Sequence, residues 1–271
     1  MRASSAPRCA EPGDAILNCP PTFGMYAFDA DVNNARVVSV PRRADFSIDV
    51  PAVLAAAKAS APKMLFLTSP NNPDGCVLGD EELRALLALP TLVVLDEAYV
   101  EFAAEPSRIG WVLAHENLVV LRTFSKRAGL AGLRIGYGAF PKSLIEFLWR
   151  AKQPYNVSVA AEVAACAALS NGPYLTRVRD ALVAERERLF AMLSRIPGLS
   201  PYPSAANFVL CRCGAGLDAK ALQQRLMHEE GIMVRYYASP AQLAGCIRVS
   251  VGTPANTDAL EKALRRLVAA P

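Results

Sequence analysis

The side chains most able to do chemistry fall in three short segments, each of which follows an apolar run. Six of them occur in the order Asn72, Asp96, Tyr99, Ser125, Lys126 and Arg134. A lysine amine can condense with an aldehyde, and a carboxylate can hold a pyridine nitrogen protonated. A guanidinium and a hydroxyl can bind a phosphate. Together these groups match what pyridoxal phosphate (PLP) needs, and they predict a PLP site.

We assign catalytic roles to three of the six residues, to two because of their charge and to one because of its hydroxyl group. Asp96 would keep the pyridine nitrogen protonated, so that the ring can accept electrons from a deprotonated Cα. Lys126 would bond to the aldehyde and, once displaced, would move the proton at Cα. Tyr99 would bring its hydroxyl close to the ring oxygen.

The remaining residues are predicted to hold the cofactor. Asn72 would contact the ring oxygen, while Ser125 and Arg134 would bind the phosphate through a hydroxyl and a bidentate cation. Phe23 follows the turn-like run Pro-Pro-Thr and could stack on the pyridine ring. It could equally be a core phenylalanine after a turn, and the residues alone leave both interpretations open.

Taken singly, each residue also has an ordinary structural explanation. Asp96 could cap a helix or end a strand in a turn, and Lys126 could be a solvated loop lysine. The segment 72–75 could be a simple turn, since it combines Asn, Pro and Gly. The PLP interpretation therefore depends on the co-occurrence of these residues in one order.

The first half of the chain alternates short apolar runs with helical patterns. The predicted strands are 15–18, 36–40, 63–68, 92–96, 118–122 and 135–139, and the predicted helices are 25–32, 50–59 and 81–89. Nearly continuous apolar strands are typical of a parallel sheet covered on both faces, so we expect a mainly parallel three-layer α/β/α domain. Ligands bind such sheets at the carboxyl ends of the strands, where the three segments would converge.

The second half is predicted to form a smaller α/β domain. Its helices are expected at 142–151, 157–169, 174–196, 219–230 and 257–268, and its strands at 208–212, near 234 and at 247–251. We place the large domain at 12–174 and the small domain, with the long helix, at 175–271. Arg248 lies between two apolar residues of a strand, so its side chain should point away from theirs toward a polar partner.

The overall composition narrows the classes of function. The chain has 271 residues, a net charge of +4 and no long basic block, so nucleic-acid and membrane partners have no support. Seven cysteines at irregular spacing and two histidines do not make a metal-binding pattern, and we expect no metal site. The cysteines are expected to be reduced residues of an intracellular protein.

These motifs resemble the histidinol-phosphate aminotransferase family of fold-type I, class-II PLP enzymes, especially the plastid forms of plants and algae. The matching segments are 19–26, 67–75, 95–102, 121–134, 153–158, 231–235 and 247–252. The resemblance runs from Pro12 to Ala263, which is nearly the whole chain.

The resemblance implies PLP-dependent transamination between L-histidinol phosphate and 2-oxoglutarate in histidine biosynthesis, with an amino alcohol phosphate and glutamate as small-molecule partners. It implies that Phe23 stacks on the cofactor ring and that Arg235 and Arg248 grip the substrate phosphate. Tyr155 would lie near the substrate or the subunit boundary of a homodimer. The implied location is the plastid, and otherwise the cytoplasm; residues 1–10 have only a weak transit-peptide composition.

The family pattern also includes segments that would precede this chain. We therefore expect an incomplete large domain, an exposed edge strand at 135–139 and weakened cofactor affinity. Two alternatives to the main activity stay open at this point. The chain could be a truncated aminotransferase fragment with little or no activity, or it could be an aminotransferase for aromatic amino acids.

Overall fold

The computed structural model describes residues 12–214 and 216–269. The weak transit-peptide composition of residues 1–10 lies outside the described residues. The strands are β1 (Ala15–Asn18), β2 (Arg36–Ser39), β3 (Met64–Thr68), β4 (Leu92–Asp96), β5 (Leu118–Thr123), β6 (Gly136–Ala139), β7 (Leu199–Pro201), β8 (Phe208–Cys213), β9 (Arg235–Tyr236) and β10 (Cys246–Ser250). The helices are α1 (Met25–Val32), α2 (Val50–Ser60), α3 (Asp80–Leu87), α4 (Lys142–Ala151), α5 (Val159–Ser170), α6 (Gly172–Leu193), α7 (Ala219–Glu230) and α8 (Pro254–Ala269).

The larger sheet has the order β2-β1-β3-β4-β5-β6. Strands β1 to β5 are parallel, whereas β6 runs antiparallel to β5. The predicted mainly parallel sheet is therefore confirmed. In the described part of the chain β6 is an edge strand, as expected.

Alternating side chains of the central strands build a core on each face of this sheet. Leu65, Leu67 and Leu95 pack against α2 and α3 on one face. Ile16 packs with Ala30 of α1 on the other face. Both faces are covered because the strands carry apolar residues at odd and even positions alike, which is the pattern of a buried parallel sheet.

The smaller sheet has the order β7-β8-β10-β9, and its strands are antiparallel. Its main core joins β8 and β10 to α6, α7 and α8. The predicted boundary between residues 174 and 175 falls inside α6, and the division into two domains stays a prediction.

Two features of this half differ from the expectation. Strand β7 is absent from the sequence prediction because its three residues, which include a proline, carry no strand-like alternation. Helices α6 and α8 begin earlier than predicted because Pro173 and Pro254 are accommodated in their first turns, where a backbone N–H is not needed. None of the described helices is both long and apolar enough to span a bilayer.

Candidate active site

The polar segments converge at the carboxyl ends of β1, β3, β4 and β5. Strands β1 and β3 are neighbours, and the chain order of the strands reverses between them. In open α/β sheets such a reversal forms a crevice where ligands bind. The loops that follow β1, β3 and β5 carry Phe23, Asn72 and Lys126, and Asp96 is the last residue of β4.

Asp96 ends β4 and is half-buried. Its Oδ2 accepts a hydrogen bond of 2.7 Å from the hydroxyl of Tyr26, and its Oδ1 accepts one of 2.9 Å from the Ala98 N–H. Burial raises the pKa of Asp96 above its usual range, although these two hydrogen bonds and the positive charge of Lys126 act in the opposite direction. The charge of Lys126 is the weakest of these three influences on the acid.

Tyr26 is a site residue that the sequence reasoning missed. Its buried ring stacks on Phe66 at a centroid distance of 4.8 Å and meets Phe23 edge-on at 5.6 Å. Its hydroxyl lies 3.0 Å from the Thr68 hydroxyl and contacts Asp96. Burial and the nearby carboxylate raise the pKa of Tyr26 well above its usual range, so it remains a neutral donor. Its spacing of three from Phe23 at the start of a helix was an available signal.

Lys126 approaches the ring of Tyr99, which follows Asp96 by three positions. The Lys126 Nζ lies 5.0 Å from the centre of the Tyr99 ring. Tyr99 is buried and packs edge-on against Phe208 of β8 at 5.2 Å. The structure thus brings the three residues with predicted catalytic roles into one cluster.

A cleft of about 710 Å³ lies beside this cluster, between the larger sheet and the loops of the smaller one. The predicted residues Phe23, Asn72, Arg235 and Arg248 line it. Phe23 is 42% exposed, which favours a role in the cleft over a place in the core.

Arg248 joins the cleft to the cluster. Its guanidinium donates to the side-chain oxygen of Asn72 and lies 4.8 Å from the centre of the Phe208 ring, which also contacts Tyr99. Its Nε is buried with no hydrogen-bond partner in the described part of the chain. The neighbours Ile247 and Val249 are buried on the opposite side of the strand, so the predicted orientation of Arg248 is confirmed.

A second missed group holds the loop that presents Asn72. Asn71 is fully buried, donates to the Pro21 carbonyl at 2.9 Å and to Asp74, and accepts from the Thr22 hydroxyl at 2.9 Å. These contacts tie the loop after β1 to the loop after β3, so Phe23 and Asn72 are held at fixed positions relative to each other.

Three predicted residues are not brought into these contacts. Arg134 is exposed, has a left-handed φ of 51° and donates to the Ala131 carbonyl in its own turn. Ser125 is half-buried and its N–H binds the Thr123 hydroxyl. Tyr155 is 98% exposed in the turn before α5. Their assigned roles stay predictions.

The donor set fits a ligand that carries an aldehyde, a protonated ring nitrogen and negative charge. In residues 12–214 and 216–269, neither Asp96 nor Lys126 forms an ion pair, and neither do Arg235 and Arg248 in the cleft. Asp96 and Arg248 are partly buried, and a buried charge without a charged partner is costly unless a ligand completes it. Over the same residues, no three His, Cys, Asp or Glu side chains are grouped as a metal ion would require.

Comparison with known proteins agrees with this fold and site. The fold is that of the fold-type I aminotransferases, and the model of the family "Aminotransferase class I and II" matches residues 3–267. The chain belongs to this family.

Several similar proteins within the family are named histidinol-phosphate aminotransferases. The chloroplastic enzyme of Nicotiana plumbaginifolia is 61% identical over 95% of this chain and 62% of its own length. The enzyme of Roseiflexus castenholzii is 50% identical over 94% of this chain and 69% of its own. The Sinorhizobium meliloti enzyme, solved in complex with pyridoxal-5'-phosphate, superposes with a TM-score of 0.87 at 33% identity, over 96% of this chain and 71% of that one. The chain thus spans 62% of the length of its plant relative.

Proposed function

We propose that the chain is a PLP-dependent aminotransferase that transfers an amino group between L-histidinol phosphate and 2-oxoglutarate in histidine biosynthesis. The observation that carries this proposal is the placement of Lys126 against the ring of Tyr99 and within electrostatic reach of Asp96. The names of the relatives support the choice of substrate.

The residues that would hold PLP follow from the cluster and the cleft. Asp96 would face the ring nitrogen, Phe23 the ring face, and Asn72 and Tyr99 the ring oxygen. The phosphate is assigned to two residues, Ser125 and Arg134. When bound, PLP supplies an aldehyde for an amine and a ring that accepts electrons from Cα. Lys126 would hold and move a proton at its Nζ.

The substrate would bind in the cleft of about 710 Å³. Arg235 and Arg248 place two cations there, which suits an amino alcohol phosphate and a dicarboxylic acid such as 2-oxoglutarate. Tyr155 is proposed to reach the substrate or the subunit boundary only within an assembled enzyme, because it is 98% exposed in the single chain.

Borohydride trapping tests the proposal directly. PLP is added to the purified chain, the sample is reduced and digested, and the peptides are searched for a pyridoxyl group. We expect labelling on Lys126 and its loss in K126A, with K142A, which alters an exposed lysine on α4, as the matched control. Amino transfer from glutamate to imidazole-acetol phosphate is then assayed. Labelling elsewhere, or labelling on Lys126 without transfer, contradicts the proposal.

We also propose that two copies of the chain form a homodimer. Large apolar side chains are exposed along the segment 145–163, including Ile145, Phe147, Trp149 and Val163. Exposed apolar surface of this extent typically marks a contact with another protein. Light scattering coupled to size exclusion should report a dimer, and W149E should weaken it. A monomer at micromolar concentration would contradict this assembly.

The plastid is the proposed location, because the similar enzyme of Nicotiana plumbaginifolia is named as chloroplastic. We further propose that residues 12–174 and 175–271 are the two domains. Immunodetection in plastid and cytosolic fractions tests the location. Limited proteolysis tests the boundary between these two domains, and we expect cleavage close to the start of α6.

A further inference from the structure

Arg122 makes a buried ionic contact beside the proposed active site. It lies on β5 four positions before Lys126 and its side chain is 12% exposed. One terminal nitrogen lies 2.6 Å from a carboxylate oxygen of Glu101, and the other lies 3.6 Å from Glu97. Two carboxylates therefore share one guanidinium.

The carboxylate of Glu97 has no exposed surface and is fully engaged. It accepts from the Arg108 N–H at 2.7 Å and from the hydroxyl of Ser107, which in turn accepts from Arg122 at 3.1 Å. The ring of Tyr137 on β6 lies 5.9 Å from the guanidinium carbon of Arg122. Arg122 and Glu97 are thus packed among Ser107, Arg108 and Tyr137.

The three charges connect the segments that carry the proposed catalytic residues. Glu97 directly follows Asp96, and its N–H donates to the Leu121 carbonyl at 2.9 Å. Glu101 lies in the 3-10 turn Val100–Phe102, which begins immediately after Tyr99. Arg122 belongs to the strand that leads into the lysine. Its two ion pairs therefore tie the turn after β4 to the end of β5.

We propose that Arg122 is a positioning residue that, through Glu97 and Glu101, sets the geometry of Tyr99 and Lys126 at Asp96. The inference rests on the proposed function. A buried ion pair is rarely the most stabilising choice, because removing charges from water costs about as much as their attraction returns. A buried ion pair is better suited to holding the segments that it joins in one arrangement than to adding stability.

Three variants test this role. R122K keeps the charge but cannot reach two carboxylates in the fork geometry of a guanidinium. E101Q removes one of the two ion pairs with little change in shape, and it stays informative if R122K fails to fold. R188M is the matched control, since Arg188 in the smaller sheet's domain also bridges two carboxylates, Glu185 and Asp258.

Three readouts separate positioning from stability. These are the PLP dissociation constant, the pH midpoint of the absorbance of the Lys126–PLP linkage, and the thermal midpoint without PLP. Hydrogen exchange of segments 97–102 and 123–126 in the cofactor-free protein adds a readout that does not depend on PLP.

We expect R122K and E101Q to weaken PLP binding about tenfold or more, by analogy with the loss of a residue that orients a metal ligand. Both should also shift the pH midpoint and speed hydrogen exchange in the two segments. R188M should lower the thermal midpoint and leave the other readouts unchanged.

Wild-type affinity and pH midpoint in both R122K and E101Q would overturn the inference, as would equal shifts in R188M. If wild-type chain forms no linkage at Lys126, the proposed function itself fails, and the wild-type sample identifies that case.

Discussion

The hydroxyl of Tyr26 lies 2.7 Å from Oδ2 of Asp96 and 3.0 Å from the hydroxyl of Thr68. A phenol has a single proton to donate. Because a carboxylate can only accept, that proton goes to Asp96, and the Thr68 proton is then directed to Tyr26. The acid proposed to face the cofactor nitrogen is thus held by a buried donor whose own orientation is fixed.

Removing this hydroxyl with Y26F should destabilise the cofactor-free protein. A hydrogen bond to a charged group contributes about 1.5–3 kcal/mol, so we expect a loss of unfolding free energy of this size at neutral pH. The loss should shrink in mild acid, where Asp96 is protonated. Urea unfolding at both pH values measures it. T68V, which removes a neutral donor and leaves Asp96 bonded, should cost less; equal losses in the two variants would contradict this assignment.

The buried charge of Asp96 gives a second prediction, with a defined sign. Burial raises the pKa of Asp96 in the folded chain. Between the ordinary pKa and this raised one, the folded protein binds more protons than the unfolded chain, so stability falls as pH rises through that window and stays reduced above it. D96N carries no charge. It should therefore have a higher thermal midpoint than wild type at neutral pH, an advantage that fades toward the ordinary aspartate pKa.

Thermal melts of cofactor-free D96N and wild type across this pH range make the measurement. D96N should also bind PLP more weakly than wild type does. The carboxylate that lowers the stability of the cofactor-free protein would then be the one that binds the cofactor. A D96N chain that melts lower than wild type at neutral pH would show that the carboxylate is well compensated in the fold.

Much of the fold and the centre of the site could be predicted because they depend on local pattern. The run Leu92–Asp96 is apolar without interruption, which indicates a central parallel strand, and the acid at its end must lie at the binding edge. Lys126 follows a neighbouring strand, so its approach to Asp96 required only the order of the strands.

The supporting residues could not be predicted in the same way. Tyr26 and Asp96 are 70 positions apart, and Arg122 and Glu101 are 21 apart, so their contacts exist only once helices and turns are packed. Arg134 and Tyr155 adopt left-handed φ angles of 51° and 60°. Their residue types give little sign of such turns, and their exposure could not be anticipated.

Arg235 offers a test of how the cleft selects its substrate. It is exposed, lines the cleft and lies 5.7 Å from the ring of Tyr237. R235M should leave the unfolding free energy within about 0.5 kcal/mol, as is usual for surface positions. It should lower the preference for L-histidinol phosphate over L-histidinol about tenfold or more, since one charge-assisted hydrogen bond is worth that much.

The ratio of kcat/KM for the two substrates measures this preference. R225M is the control, because Arg225 is a half-buried arginine on α7 that pairs with Glu229 and donates to the Leu267 carbonyl, away from the cleft. An unchanged ratio in R235M would remove Arg235 from phosphate recognition.

Gly75 closes the loop that carries Asn72, and its close packing predicts a strong effect of any side chain. Its φ is +84°, its carbonyl accepts from the Ala205 N–H at 2.9 Å, and a Cβ added to it would overlap Ser204. G75A should therefore cost about 1–3 kcal/mol from overpacking alone, with further strain from the positive φ. It should also weaken PLP binding, because Asn72 would be displaced.

A double-mutant cycle with S204G separates the two causes. In S204G the hydroxyl and Cβ that meet the new methyl group are gone, whereas the Ser204 Cα, 2.9 Å from the added Cβ, remains. Urea unfolding should show that S204G costs less, or even stabilises, in the G75A background than in wild type, where it only removes the bond from the Ala206 N–H. Strict additivity would mean that contact with the Ser204 side chain does not set the cost, and that backbone strain at Gly75 or contact with the Ser204 Cα does. In that case the Ser204 side chain would have no part in holding the loop that carries Asn72.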